Sequence, residues 1–308
     1  MIPIASGVPN IKTEGSAIQT LFSRKWDRKY WETALIPALT TSQYFAELTK
    51  GDQVEVTKDP SVSIKDYQDG QALEVERVNL NHITLTIDKA KYFNIALTDV
   101  DAELSHLGLA SKYMQVALKE GEKVIDTDFF TAMKDEAAAK NKGGSAGVKS
   151  SGFDLGTSAA GFATNSTNIV KFLTGIYTVL REQCATGDKW VVIPPWMHWQ
   201  LMSSELKNAM NMGDGKSVLR TGFIGRLAGE MDFYVSTYLD GAGSAAGSPT
   251  AILAGNKDAI AYTMRLSKTE KWRDGNFQTL LQGLMVYGWK CVKPEGLVNA
   301  YAYKASEA

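Results

Sequence analysis

The segment from Gly51 to Leu97 constrains this chain more than any other, because it reads as strand, turn and strand with charge on both arms and little apolar surface. Val54 and Val56 lead to a polar tip at Lys65-Asp66-Tyr67-Gln68-Asp69-Gly70. On the return arm Leu73 and Val75, then Ile83, Leu85 and Ile87, alternate at the period of two that strands show. A two-stranded ribbon by itself is marginal in water. A chain that carries so long a hairpin is expected to lay it on another copy of itself, and assembly rather than catalysis becomes the leading idea.

With 308 residues the chain can bury a substantial core, and two intimately connected domains are expected. Its 33 basic and 34 acidic residues leave a net charge of -1, which gives no long-range pull toward nucleic acid or anionic lipid. Any DNA near such a protein is enclosed rather than gripped. Cys184 and Cys291 are too few for a disulfide framework and read as buried thiols. The opening residues Met1 to Gly7 lack a basic region followed by an apolar one, and no window approaches a membrane span, so a soluble protein made in a cytoplasm is expected.

Residues 1 to about 15 read as an extended arm. Phe22 to Leu39 reads as a helix with Phe22, Trp26, Tyr30 and Ala34 on one face and Arg24, Lys25, Arg28 and Lys29 on another. Asp99 to about Lys140 carries the longest helical signal. Thr98 and Asp101 resemble a capping box, Asp99, Asp101 and Glu103 suit the positive end of the helix dipole, and Val100, Leu104, Leu107, Met114, Leu118, Ile125 and Phe129 form one stripe. Such a helix is about 60 Å long. Gly108 and Gly121 lie within it, and each costs roughly 1 kcal/mol relative to alanine, so they mark places where the helix bends.

Lys140 to Thr167, rich in Gly, Ser, Ala and Lys, reads as a loop or linker. Helical spacing resumes from Asn168 to Cys184, Trp190 to Ile193 has the continuous apolar run of a buried strand, and Pro194-Pro195 opens a helix to Ser204. Further strands are expected at Phe233–Ser236, Ala251–Ala254, Ala259–Met264, Leu280–Cys291 and Leu297–Tyr303, with a small-residue loop over Asp240–Pro249.

No catalytic constellation emerges. His82, His106 and His198 are scattered and lack metal-ligand spacing, so structural use is expected. Gly213-Asp214-Gly215-Lys216-Ser217 ends like a phosphate-binding loop, but the upstream glycine the motif requires is Met210, which leaves a polar turn. Asp99/Asp101 and Asp126/Asp128 read as capping and solvated pairs. There is no G-x-S-x-G elbow, and Trp190, Trp196 and Trp199 around the double proline read as a core wedge. Neither enzyme nor cofactor is expected.

Three phrases, in order, carry a resemblance. Gly51-Asp52-Gln53-Val54 and Lys65-Asp66-Tyr67 precede Leu85-Thr86-Ile87-Asp88-Lys89-Ala90-Lys91-Tyr92-Phe93 and Leu97-Thr98-Asp99-Val100-Asp101. Gly222-Phe223-Ile224-Gly225-Arg226-Leu227-Ala228-Gly229 runs to Val235-Ser236, and Gly283-Leu284-Met285-Val286-Tyr287-Gly288 precedes Pro294-Glu295-Gly296-Leu297-Val298. Together, over residues 20 to 303, they resemble the major capsid (coat) proteins of tailed bacteriophages, the Hong Kong 97-type capsid fold.

The resemblance implies an α+β chain: an N-terminal arm over 1–49, an extended β-hairpin loop over 50–97, and a peripheral domain over 98–167 with the spine helix and a linker. An axial α/β domain over 168–271 follows, then a second peripheral part over 272–308, on whose strands the Phe129 stripe packs. It also implies a non-enzymatic subunit whose hexamers and pentamers close an icosahedral shell around double-stranded DNA, without sequence-specific binding or membrane contact. Portal and scaffolding proteins would be partners, and the virion capsid, assembled in the host bacterial cytoplasm, the location. Lys65, Asp66, Tyr67, Leu73, Val75 and Arg77 are the candidate contacts between subunits. Gly108 and Gly121 are the candidate flexible points of the spine, and Gly222, Gly225 and Gly229 the candidate axial bend. An encapsulin-like compartment, another virion structural protein and an unrelated ligand-binding α/β protein are the alternatives.

Overall fold

The computed structural model describes residues 30–45, 53–60, 62–98, 109–204, 226–227, 230–241, 247–274 and 278–305. The short helix α1 (Ile36–Leu39) is followed by β1 (Gln53–Thr57), β2 (His82–Thr86) and β3 (Lys89–Thr98), then by the long helix α2 (Leu109–Met133). After β4 (Phe162–Thr164) come α3 (Ile169–Glu182), β5 (Lys189–Ile193), α4 (Pro195–Ser203), β6 (Arg226–Leu227) and β7 (Met231–Val235). Strands β8 (Thr250–Asn256), β9 (Ile260–Asp274), β10 (Gln278–Cys291) and β11 (Leu297–Lys304) complete the order. They form a two-stranded ribbon β1-β2, a three-stranded sheet β3-β10-β9 and a six-stranded sheet β4-β11-β8-β5-β7-β6.

The apolar run of β5 is buried along its whole length because both faces of the six-stranded sheet are covered. Val191 and Ile193, with Ile252 and Ala254 of β8 and Val298 and Ala300 of β11, pack on α3 through Phe172, Leu173, Ile176 and Val179. Trp190, Val192, Leu253 and Leu297 point the other way, into a second core. There Ile125, Phe129, Phe130 and Met133 of α2 meet Met285, Tyr287, Trp289 and Cys291 of β10. This second core joins the two larger sheets. The Phe129 and Trp289 rings meet edge to face at 5.7 Å, so the Ile125–Phe129 end of the α2 stripe seats on the late strands, while Met114 and Leu118 are half-buried and Val100, Leu104 and Leu107 lie outside the described residues. Lys189, which opens β5, is buried with its Nζ donating to Glu230 Oε2 (2.7 Å) and the Gly187 carbonyl (3.1 Å).

Several expectations change. Of the helix expected over Phe22–Leu39, residues 22–29 lie outside the described residues, 30–35 are not helical, and Ile36–Leu39 are. Pro37 explains this, since proline is accommodated in a first helical turn but blocks a helix arriving from upstream. Helix α2 ends at Met133 instead of near Lys140, because tertiary partners take over its end. Asn299 Nδ2 donates to the Lys134 carbonyl (2.7 Å), and the Ala138 N–H turns to Pro294 O (3.1 Å). The segment expected as a linker is packed: Ala146 and Leu155 are buried, and Glu182 Oε2 accepts from Lys149 N (2.9 Å) and Ser150 N (3.2 Å). Those N–H groups hold the Glu182 carboxyl below the usual carboxylate range.

The ribbon ladder ends at Thr86, and Lys89–Thr98 pairs with β10 rather than continuing the hairpin. Strand β9 lies in the three-stranded sheet with β3 and β10, and β11 lies inside the six-stranded sheet with β4 and β8, so sheet membership does not follow the boundary expected at residue 271. Cys184 is an exposed residue with φ of 57° just past α3, not a buried thiol. Cys291 is buried, and burial pushes its thiol up to about 12.

Candidate functional site: the projecting ribbon

The ribbon divides at Pro60. Below it, β1 and β2 pair with Thr57 opposite His82 and Gln53 opposite Thr86, and Lys58 N donates to Asn81 O (2.8 Å). Leu85 is 0% exposed and forms a small core with Ala261 and Val292, on which Tyr44, Val54, Val56, Ile83 and Ile87 pack. The foot of the ribbon therefore rests on its own chain. Proline cannot donate to a ladder, and no strand is assigned among the described residues between Thr57 and His82. The two arms nevertheless stay in register, held by side chains. Ser63 N and Oγ donate to Glu76 Oε2 (3.3 and 2.5 Å), and Lys65 Nζ pairs with Glu74 Oε2 (2.5 Å). At the tip Gln71 N donates to Gln68 O (3.0 Å), with Gly70 at φ 83° in open space. A left-handed residue is needed there, and glycine supplies it without steric cost.

That register sorts the six candidate contact residues onto two faces, given that successive side chains of an extended chain point to opposite sides. One face carries the polar cross-links Lys65–Glu74 and Ser63–Glu76, together with Tyr67. The other carries Val62, Ile64, Leu73 and Val75, with Arg77 toward the foot and Asp66 toward the tip. Ile64 is 94% exposed and Val75 90%, and Val62 and Leu73 are exposed as well. Sequence reasoning named Leu73 and Val75 but missed Val62 and Ile64, whose pairing with the return arm shows only once the register is known. Lys65 meets an acidic partner within its own loop.

A second apolar surface lies on the three-stranded sheet. Its inner face, with Phe93, Leu281, Met285 and Tyr287, is turned toward the body, and Tyr287 Oη donates to Asp128 Oδ2 (3.1 Å) on α2. The Tyr287 hydroxyl is raised to about 12 by burial and by Asp128. Its outer face places Tyr92 opposite Leu284 and Leu280 opposite Trp272. Tyr92 is 81% exposed, and Trp272 and Leu284 are exposed too. A hollow of about 350 Å³ opens among Tyr92, Asn94, Glu270, Gln282 and Leu284.

Of the candidate flexible glycines, Gly121 lies in α2, where a Cβ would run into the Sδ and Cε of Met285. Its small size lets the helix seat on β10. Gly108, Gly222, Gly225 and Gly229 lie outside the described residues, as do His106 and Gly213–Ser217. His82 Nδ1 sits 3.1 Å from Thr57 Oγ1 across the foot of the ribbon. Trp190 is buried in the wedge, whereas Trp199 is exposed beneath Lys304 Nζ, 4.6 Å from its ring centre. Asp128 lies on the surface in an ion pair with Lys91 (2.9 Å), but Asp126 is buried rather than solvated. Among the described residues, no group of three His, Cys, Asp or Glu side chains is placed to hold a metal ion, and no helix is long and apolar enough to cross a membrane.

No family model and no curated protein matches the sequence. Solved structures do. The chain is similar to a structure from Mycobacterium phage Che8, at 21% identity and TM-score 0.74, covering 92% of this chain and 97% of that one. It is similar to the capsid of the cyanophage P-SCSP1u, at 16% identity and TM-score 0.69, with 94% of each chain covered. The capsid of a native GTA particle follows at 12% identity and TM-score 0.66, covering 98% of this chain and 100% of that one. With so much of each chain superposed at these scores, this polypeptide has the fold of tailed-phage capsid proteins.

Proposed function

We propose that this chain is a major capsid protein: a non-enzymatic subunit that builds hexameric and pentameric capsomers and closes them into an icosahedral shell around double-stranded phage DNA. The observation that carries the reading is the exposed strip Val62, Ile64, Leu73 and Val75, held away from the chain's own cores on a chain of capsid fold. Covering it takes a second copy, and head-to-tail contacts of this kind close into rings. The outer sheet face bearing Tyr92, Leu284 and Trp272 is the matching apolar surface a neighbour offers. Full burial of an aliphatic side chain is worth about 1.5–3 kcal/mol, whereas an exposed ion pair is worth under about 1 kcal/mol. The apolar strip therefore supplies affinity, and Asp66, Arg77 and Lys65 select register.

Near-neutral net charge suits a wall that encloses DNA without binding it. Portal and scaffolding proteins are the further partners of this reading, the virion its location and the host bacterial cytoplasm its place of assembly. Electron microscopy of the chain, expressed alone and with its neighbouring genes, tests it. Closed shells or capsomer rings are expected, and particles filled with protein cargo instead of DNA would turn the reading to an encapsulin-like compartment. A protein that stays monomeric in both settings overturns it.

A further inference from the structure

Ahead of α1 the chain runs as a short strap over the body, fastened by two carboxylates. At one end Glu32 accepts from Thr237 N (3.1 Å) and from Ser236 Oγ (3.2 Å), just past β7. At the other, Asp126 Oδ2 on α2 accepts from Leu35 N (3.1 Å), the residue before α1, with Ile36 N also directed at this carboxyl. Leu35 has no side-chain cap of its own, so Asp126 caps α1 from a different helix. Beyond it Ile36 and Leu39 are buried and Thr41 joins the edge of β9, with Thr41 N on Ile260 O (2.9 Å) and Tyr262 N on Thr41 O (3.0 Å). The strap thus spans α2 and both larger sheets.

We propose that the strap Glu32–Ile36 is a proton-linked clasp: its seating on Asp126 tightens in mild acid and loosens as the solution is brought to neutrality. Asp126 is only 2% exposed while the strap is seated. The acidic groups acting on it are Glu122, one turn back on α2, and Glu32 on the strap itself. From β9 the Tyr262 hydroxyl faces it, its own ionisation pushed far up by burial and by Asp126. From the loop after β7 comes Tyr238, whose hydroxyl is also raised, first by burial and then by Glu32. The adjacent cation, Lys123, lies 5.9 Å over the Tyr238 ring.

Burial outweighs the two strap N–H groups and, with Glu122 and Glu32, pushes the Asp126 carboxyl up to about 6 from 3.8. A hollow of about 340 Å³, lined by Ala34, Thr40, Glu122 and Tyr262, lies beside it. Lifting the strap hydrates the carboxylate and removes Glu32, returning it toward its ordinary value. The seated state therefore holds the proton more tightly, and acid favours seating. Between pH 5 and pH 7 the linkage relation gives an increase of up to about tenfold in the equilibrium constant for lifting, the full figure requiring complete return of the carboxyl to its ordinary value.

Hydrogen–deuterium exchange of the purified full chain at pH 5, 6 and 7, corrected for intrinsic exchange, tests this on peptides covering Trp31–Leu39 and Ser236–Tyr238, with β8 as reference. Strap opening is expected to rise with pH, by up to about tenfold across that range, while β8 does not change. Asp126→Asn, whose amide oxygen still accepts from Leu35 N, is expected to abolish the rise. Glu122→Gln, which removes a like charge, is expected to move its midpoint to lower pH, and it serves if Asp126→Asn does not fold. Wild-type strap opening that is flat with pH, an undiminished rise in Asp126→Asn, or an unmoved midpoint in Glu122→Gln overturns the clasp.

Discussion

Val54, Val56, Ile83 and Leu85 at the foot of the ribbon, and Val62, Ile64, Leu73 and Val75 beyond it, are the same kind of residue on the same two arms in one register. Their surroundings are opposite. The foot closes over Ala261, Val292 and Tyr44, while the outer strip faces solvent. Residue type does not separate the two groups, and neither does alternation. What separates them is whether the chain brings another surface within reach, and Pro60, by ending the ladder, marks where that support stops. In the proposed function the foot serves folding and the outer strip serves association.

That contrast can be broken most forcefully at the foot. Leu85→Ala is expected to destabilise the isolated chain by about 2–5 kcal/mol, as large-to-small core changes do, measured by denaturant unfolding. A cost near zero would mean the foot is not part of the folded body. Next in size, Ile64→Ala and Val75→Ala should leave unfolding of the chain within about 0.5 kcal/mol of wild type. Each should weaken assembly by about 1.5–3 kcal/mol per ribbon, a rise of roughly tenfold or more in the concentration at which particles form in light scattering. Particles that form at an unchanged concentration would remove the strip from the contact.

Gly121→Ala sharpens the difference between packing and flexing. The helix gains about 1 kcal/mol of propensity, and moving the flexible end of Met285 costs a similar amount or somewhat more. Stability should therefore change by no more than about 1–2 kcal/mol. Unchanged kinetics of assembly and shell expansion would leave the seat for Met285 as the whole role of this glycine. The smallest effect is expected at the polar face, where Lys65→Ala should alter both stability and assembly by under about 1 kcal/mol, because its partner Glu74 is a solvated residue of the same loop.

Much of the fold was legible because local pattern and tertiary context agree. The β5 run, the α3 face and the Ile125–Phe129 end of the α2 stripe are each covered where their periodicity says they should be. Legibility fails where a distant partner decides. Lys89–Thr98 continues the alternation of the hairpin, and only β10, nearly two hundred residues later, draws it into another sheet. The 140–167 segment lacks periodicity because it packs through single anchors such as Ala146 and Leu155 and through the Glu182 carboxylate. Asp126 looks like one more charge on a surface helix, yet it is buried, with Leu35 N donating to it from a segment 91 residues earlier. Within the site, Leu73 and Val75 were visible as apolar residues in a polar hairpin, but their grouping with Val62 and Ile64 depends on cross-loop bonds that spacing does not encode.

Strand β11 sits inside its sheet, between the edge strand β4 and β8, and the seat for the ribbon includes Val292. A ribosome therefore finishes the sticky outer strip more than two hundred residues before β4 acquires its neighbour or the foot acquires its floor. Contacts this far apart in the chain form slowly. Until they form, nothing aims the ribbon in a fixed direction, and unfinished chains meet without the geometry that makes their encounter productive. For a chain with the proposed function, the order of synthesis would thus act as a timer that reserves building for molecules whose bodies are complete.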